Sequence, residues 1–118
     1  KDDALTWRLF QEALSSDYHD IQGGTTAEGI HAGVMAATLW IPLSTFAGLD
    51  LRQGTVTFRP RIPKHWEMLR FNFTWRNIDL HVCLTGNCLE ITSSHDCEIA
   101  LFEQTVFLQK QLTKIVHY

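Results

Sequence analysis

The pattern of hydrophobic residues changes near Gly48. Before this glycine, apolar residues recur three or four positions apart, which is the period of an α-helix. After it they alternate with polar residues, which is the period of a β-strand. The sequence therefore predicts an α+β protein whose helices precede its strands.

The first predicted helix covers residues 4–14, where Leu5 and Leu9 lie on one face. Asp2 and Asp3 stand at its N-terminus, where the helix dipole favours negative charge. The second predicted helix covers residues 27–46, with a kink or an end at Pro42 and Gly48 as a C-terminal cap.

This second helix carries apolar residues on all its sides. A helix of that kind is buried inside a larger body. Because the chain offers too few other helices to cover it, its partner helices must come from sequence outside this chain. The chain also begins at Lys1 rather than at a methionine, so we expect a piece of a longer protein.

The alternating part predicts several short strands, in which Phe71, Phe73 and Trp75 share one face. The predicted strands are 49–52, 54–58, 67–75, 78–84, a strand around Leu89 and Ile91, 98–102, 105–108 and 112–117. Short strands joined by tight turns favour an antiparallel β-sandwich. The predicted domains are residues 1–47 and 48–118.

The segment between the two predicted helices, residues 20–31, could carry chemistry. Gly24 and the glycine before it allow a sharp turn, and Thr25 and Thr26 follow at the helix entry. First-turn amides lack partners within a helix, and together with the dipole they favour a phosphate or carboxylate. His31, about one turn inside the predicted helix, would add a donor.

The same residues also fit a capping box, with Thr25 as the N-cap and Glu28 three positions later. In that interpretation Glu28 only accepts a hydrogen bond from a backbone amide. The spacing leaves both interpretations open. The segment matches neither the phosphate-binding P-loop nor the nucleophile elbow of hydrolases.

Composition narrows the class of protein. Hydrophobic residues make up 45% and charged residues 19% of the chain, and the net charge is −3, which predicts a packed core and no nucleic-acid partner. No apolar run approaches the roughly 20 residues of a membrane span. Cys83, Cys88 and Cys97 form no CxxC pair, so we expect no metal site and free thiols in a reducing, cytoplasmic compartment.

Two stretches resemble glycoside hydrolase family 65, which includes maltose, trehalose and kojibiose phosphorylases and related hydrolases. Residues 20–39, DIQGGTTAEGIHAGVMAATL, resemble a signature near the end of its catalytic domain. Residues 46–82 resemble its junction into a C-terminal β-domain. The resemblance implies two terminal helices of an (α/α)6 barrel followed by a β-sandwich.

The resemblance also implies a reaction. The family inverts the anomeric centre: a carboxylic acid protonates the glycosidic oxygen while a nucleophile attacks the opposite face. In its phosphorylases that nucleophile is inorganic phosphate, a co-substrate, and no other cofactor is implied. An α-linked disaccharide would give β-glucose 1-phosphate. Gly24, Thr25, Thr26 and His31 match the phosphate-binding positions, and a homodimer is a further expectation.

The family's general acid lies upstream of this chain, so we expect the chain alone to be inactive. A family 65 hydrolase that uses water is the first alternative, and there Glu28 is the candidate catalytic base. The second alternative is an autonomous β-sandwich that binds carbohydrate or another partner. It requires the face of Phe71, Phe73 and Trp75, or Trp66, to be exposed.

Overall fold

The computed structural model of the chain describes residues 2–16, 19 and 31–118. The chain divides into two compact units, a helical unit (Lys1–Leu43) and a β unit (Ser44–Tyr118). The division into domains at residues 47 and 48 stays a prediction.

Helix α1 (Asp3–Ser15) begins at a cap that the sequence supplies. The Asp2 carboxylate accepts hydrogen bonds from the amides of Ala4 and Leu5, each at 3.1 Å. These bonds satisfy two amides that have no partner inside the helix. The helix follows the predicted span to within one residue at either end, and Phe10 is its buried side chain.

Helix α2 (Ala32–Ile41) continues into a π-helical turn, Pro42–Phe46. The α-helical pattern ends at Pro42, one of the two outcomes that the sequence predicted there, because proline has no amide hydrogen to donate to the preceding turn. Gly48 follows with φ of +62°, and a Cβ atom there would lie 2.1 Å from the carbonyl oxygen of Arg59. Only glycine fits this position.

The described residues form strands β1 (Val56–Phe58), β2 (Leu69–Trp75), β3 (Ile78–Leu84), β4 (Cys88–Ser93), β5 (Cys97–Leu101), β6 (Gln104–Leu108) and β7 (Lys114–His117). Each lies within or close to a predicted strand. The prediction of a strand at 49–52 is wrong. Asp50 makes a single bridge to Thr57, and its carboxylate accepts a hydrogen bond from the Arg52 amide at 3.0 Å, which turns the chain.

The strands form two sheets, ordered β1-β5-β6 and β2-β3-β4-β7. The prediction of a wholly antiparallel sandwich is wrong at one pair, because β1 runs parallel to β5, with Val56 opposite Ile99. Three strands of the other sheet separate β1 from β5 along the chain. The connection is therefore a crossover rather than a hairpin, and a crossover permits parallel pairing.

The core of the β unit comes from both sheets. Ten side chains, from strands β1, β3, β4, β5 and β6, are less than 2% exposed. They are Phe58, Leu80, Leu84, Leu89, Ile91, Ile99, Leu108, Val56, Val82 and Ser93. Buried and exposed residues alternate along β3 and β4, because successive side chains point to opposite faces of a strand.

The helical unit presents its apolar residues differently. Leu39 on α2 is 75% exposed, Trp40 is 52% exposed and Leu9 on α1 is 52% exposed. The apolar helix that the sequence predicted to be buried is therefore left uncovered by the described residues. None of the helices that the structure describes is long and apolar enough to cross a membrane.

Candidate functional site

The predicted anion-binding turn is described in part. Gly24, Thr25, Thr26 and Glu28 lie outside the described residues, so their roles stay predictions. His31 is the member of the set that the structure places.

His31 is the N-cap of α2, with an extended backbone at φ −80° and ψ 98°. Its carbonyl oxygen accepts hydrogen bonds from the amides of Val34 and Met35, at 2.9 and 3.1 Å. The prediction that His31 lies one turn inside the helix is therefore wrong, because α2 begins at Ala32. Because the His31 backbone is extended, His31 itself is not helical and the helix starts at the next residue.

As the N-cap, His31 still lies at the N-terminal end of α2. Its exposed side chain makes no capping hydrogen bond to the first turn. The first amides of an α-helix point outward from its N-terminus and carry the positive end of the helix dipole. A residue at the N-cap stands beside those amides, and a role for the His31 ring in binding an anion stays a prediction.

The hydroxyl groups at the end of α1 are engaged within their own helix. Ser15 donates to the Gln11 carbonyl and Ser16 donates to the Ala13 carbonyl, each at 2.9 Å. Serine hydroxyls at such positions commonly bond back to the preceding turn. These two groups therefore cap α1 and add no donor to an anion site in this arrangement.

The aromatic residues proposed as a sugar platform pack within the β unit. Phe71, Phe73 and Trp75 are half-buried, and the Phe73 ring lies 6.4 Å from that of Phe58. The Arg76 guanidinium lies over the Trp75 ring at 4.6 Å. Trp66 contacts Phe46 edge to face, with ring centroids 5.2 Å apart. These contacts favour a packing role over a sugar-binding face.

Four titratable groups of the β unit have pKa values perturbed for local reasons, namely Asp50, Arg52, Cys97 and Tyr118. The pKa of Arg52 is raised by its hydrogen bond to Asp50. The Arg52 guanidinium, which bonds to both carboxylate oxygens at 3.0 and 2.8 Å, holds the pKa of Asp50 well below its usual range. Burial raises the pKa of the Cys97 thiol. Burial also raises the pKa of Tyr118 to about 12, and its hydroxyl donates to the Thr85 carbonyl at 2.7 Å. Each shift has a structural cause, and none marks a catalytic group.

The three cysteines are free, as the sequence predicted, and they are half-buried. Among the described side chains, no group of three or more His, Cys, Asp and Glu residues could hold a metal ion.

Sequence reasoning missed a cleft of about 540 Å³ between strands β6 and β7. Phe107, Leu112, Lys114 and Ile115 contribute to its lining. The alternation of the last strand indicates only that Lys114 and Val116 share a face, whereas the cleft itself depends on the sheet order.

The comparisons with known proteins agree on one family. A family model described as glycosyl hydrolase family 65, C-terminal domain, matches residues 49–108. A trehalose 6-phosphate phosphorylase of Lactococcus lactis subsp. lactis (strain IL1403) is 41% identical over 108 residues, 92% of this chain and 14% of that protein. An alpha,alpha-trehalose phosphorylase of Thermoanaerobacter brockii is 30% identical over 96 residues, 80% of this chain and 12% of that protein.

A solved structure shares the fold. A putative kojibiose phosphorylase from human microbiome matches with a TM-score of 0.79 and 23% identity, over 94% of this chain and 15% of that one. The chain thus spans about one-seventh of the length of the first relative. At 23% identity the likeness to the solved structure concerns the fold alone.

Proposed function

This chain belongs to glycosyl hydrolase family 65, and from that membership we propose that it is the C-terminal part of an inverting α-glucoside phosphorylase. The complete enzyme would convert an α-linked disaccharide and inorganic phosphate into β-glucose 1-phosphate and a free sugar. One observation carries the proposal: the 41% identity to a trehalose 6-phosphate phosphorylase over 92% of the chain. The alpha,alpha-trehalose phosphorylase relative supports it further.

In this proposal the turn before α2 binds the phosphate. The Gly24 backbone would let the chain approach the anion closely, and Thr25 and Thr26 would donate from their hydroxyl and amide groups. His31, at the N-cap of α2, would donate from its ring. These groups would hold the phosphate against the sugar and offset its charge, which are the two contributions that the reaction needs.

The helical unit would complete a larger barrel. Its exposed apolar residues support this, because Leu39 at 75% and Trp40 at 52% exposure leave a surface that other helices could cover. We propose that α1 and α2 are the last helices of an (α/α)6 catalytic domain. The sugar pocket and the general acid would then lie in upstream sequence, and this chain alone would be inactive.

The co-substrate and the cellular compartment of the enzyme follow from the same proposal. Inorganic phosphate would serve as a co-substrate, and no cofactor would be required. The three free, half-buried thiols support a reducing compartment, for which we propose the cytoplasm. A homodimer stays a prediction.

The reaction can be tested on the complete protein to which the chain is proposed to belong. It would be incubated with trehalose 6-phosphate, trehalose, kojibiose and maltose, with and without inorganic phosphate, and followed by ³¹P and ¹H NMR. We expect β-glucose 1-phosphate to appear from one of these sugars only when phosphate is present. Release of glucose at the same rate without phosphate would instead show a hydrolase, in which Glu28 is the candidate base.

The binding turn can be tested in the same protein. Replacing Thr25 or Thr26 by alanine should raise the KM for phosphate about tenfold or more, since a lost charge-assisted hydrogen bond costs roughly 1.5–3 kcal/mol. The KM for the disaccharide should change much less. Thr45→Ala is the matched control, because Thr45 is an exposed threonine beyond α2. Equal phosphate KM values for all three variants and the unchanged protein would refute the assignment.

A further inference from the structure

Each sheet of the β unit ends at the same cleft. In the orders β1-β5-β6 and β2-β3-β4-β7, strands β6 and β7 are edge strands, and both line the cleft of about 540 Å³. The opposite edge of the first sheet is covered in part, since the Asp50 amide donates to the Thr57 carbonyl at 2.9 Å and the Thr57 amide donates back at 3.0 Å. Strands β6 and β7 are thus two unpaired edges side by side.

Exposed apolar side chains lie among polar ones in the lining of the cleft. Phe107 is 52% exposed, Leu112 is 58% exposed and Ile115 is 56% exposed. An edge strand presents unpaired amides and carbonyls, so an exposed apolar edge is a template for pairing with another chain. Natural β-proteins commonly carry a feature on such an edge that blocks this pairing.

Lys114 lies on edge strand β7, at a position where its charge could block such pairing. In the register of β4 with β7, Lys114 lies opposite Ile91 and Val116 lies opposite Leu89. Ile91 and Leu89 are fully buried, and residues directly opposite in a sheet share a face. Lys114 therefore occupies a core-facing position on an edge strand, but its side chain is exposed and lines the cleft.

Lys114 has no ion-pair partner among the described residues. The ion pairs that join those residues are Arg8–Glu12, Arg52–Asp50 and Arg59–Glu103. The residues that line the cleft include no aspartate or glutamate. A chain that entered the cleft would therefore bury an unpaired ammonium group, which is costly.

We propose that Lys114 prevents a second copy of this chain from pairing through the β6–β7 cleft. A second copy is the partner most strongly excluded. In a two-fold contact the same patch meets itself, so each copy would bring its own ammonium group and no carboxylate. An inward-pointing charge on an edge strand is a device by which β-proteins block such pairing. A homodimer would then have to use another surface.

The test compares Lys114→Val with the unchanged 118-residue chain by sedimentation velocity over a wide range of concentrations. We expect self-association to strengthen about tenfold or more, because the like-charge contact is removed and valine suits a core-facing strand position. Lys114→Thr, which is uncharged but polar, keeps the test available if the valine variant misfolds, and it should also associate.

Two controls separate charge from other causes. Lys114→Arg keeps the charge and should behave as the unchanged chain. Lys110→Val removes a nearby exposed lysine that does not line the cleft, and it should also leave association unchanged.

Hydrogen exchange then locates the contact. Association through the cleft should slow exchange of the β6 and β7 amides, whereas association through the helices would not. The proposal fails if neither uncharged variant associates more strongly than the unchanged chain, or if association leaves β6 and β7 exchange unaltered.

Discussion

The two units of this chain treat apolar residues in opposite ways. In the β unit Leu84 is fully buried, whereas in the helical unit Leu39 is 75% exposed. Leu84 follows the alternation of a strand, whereas Leu39 lies on a helix that is apolar on all its sides. The difference teaches that the sequence pattern shows which residues should be covered, while the covering itself depends on which other elements are present.

The β unit contains both halves of its core. Strands β3 and β4 bury Leu80, Leu84 and Ile91, and strands of the other sheet supply Phe58 and Leu108. Among its described residues the helical unit has a single helix, α1, to place against α2, and one neighbour covers only one side of a helix that is apolar all round. We therefore expect the β unit to carry its own stability and the helical unit to gain its stability from further sequence.

A matched pair of leucine substitutions gives the largest contrast. Leu84→Ala should destabilise the β unit by about 2–5 kcal/mol, because it leaves a cavity in a packed core. Leu39→Ala should change stability by no more than about 0.5 kcal/mol, because the side chain is mostly exposed. Urea denaturation would be followed by the fluorescence of Trp66 and Trp75 in the β unit. Both leucine variants and their parent would carry Trp7→Phe and Trp40→Phe, so that no tryptophan of the helical unit contributes to the signal. Equal losses for the two variants would remove the distinction between the units.

A pair of glycine substitutions should give effects of opposite sign. Gly48→Ala should cost more than about 1 kcal/mol, because the new Cβ atom would meet the Arg59 carbonyl and φ is positive. Gly33→Ala should stabilise α2 by about 0.5–1 kcal/mol, because its site is open and alanine is the better helix former. Urea midpoints and far-ultraviolet circular dichroism would measure both. A tolerated Gly48→Ala would contradict the close approach of the two backbones.

Removing the Asp50–Arg52 ion pair should have the smallest effect on the stability of the β unit, and that effect should depend on pH. The folded pKa of Asp50 lies below its ordinary value, so its contribution is full at neutral pH and falls as the pH drops below about 4. Asp50→Asn should slightly lower the urea midpoint at pH 7, and the difference should narrow in acid. Glu103→Gln, whose side chain is 91% exposed, is the control and should show no such narrowing. A difference that is independent of pH would rule out the ion pair as its source.

The strand pattern of the β unit was largely predictable, because alternation is a local signal. Strand β3 was predicted at the residues it occupies, and the half-buried face of Phe71, Phe73 and Trp75 lies as the period requires. The parallel pairing of β1 with β5 was not predictable, since it joins residues some forty positions apart. The bend at Asp50 also depends on a side-chain hydrogen bond that alternation does not encode.

The candidate site was less accessible to prediction. A helix start depends on the backbone angles of one residue, and the extended angles of His31 moved the start to Ala32. The period of apolar residues continues smoothly through this position, so it carries no signal of the boundary. Predicting the cleft beside Lys114 would have required the order of both sheets, which makes β6 and β7 edge strands of different sheets, and the packing that brings the two edges to one cleft.

Hydrogen–deuterium exchange of the 118-residue chain tests the central claim most directly, since it reads both units in one sample. If the β unit is stable by itself and the helical unit relies on absent sequence, amides of β3 and β4 should exchange only through global unfolding. Amides of α2 should exchange through far cheaper local opening. Protection of α2 equal to that of β3 and β4 would contradict the account.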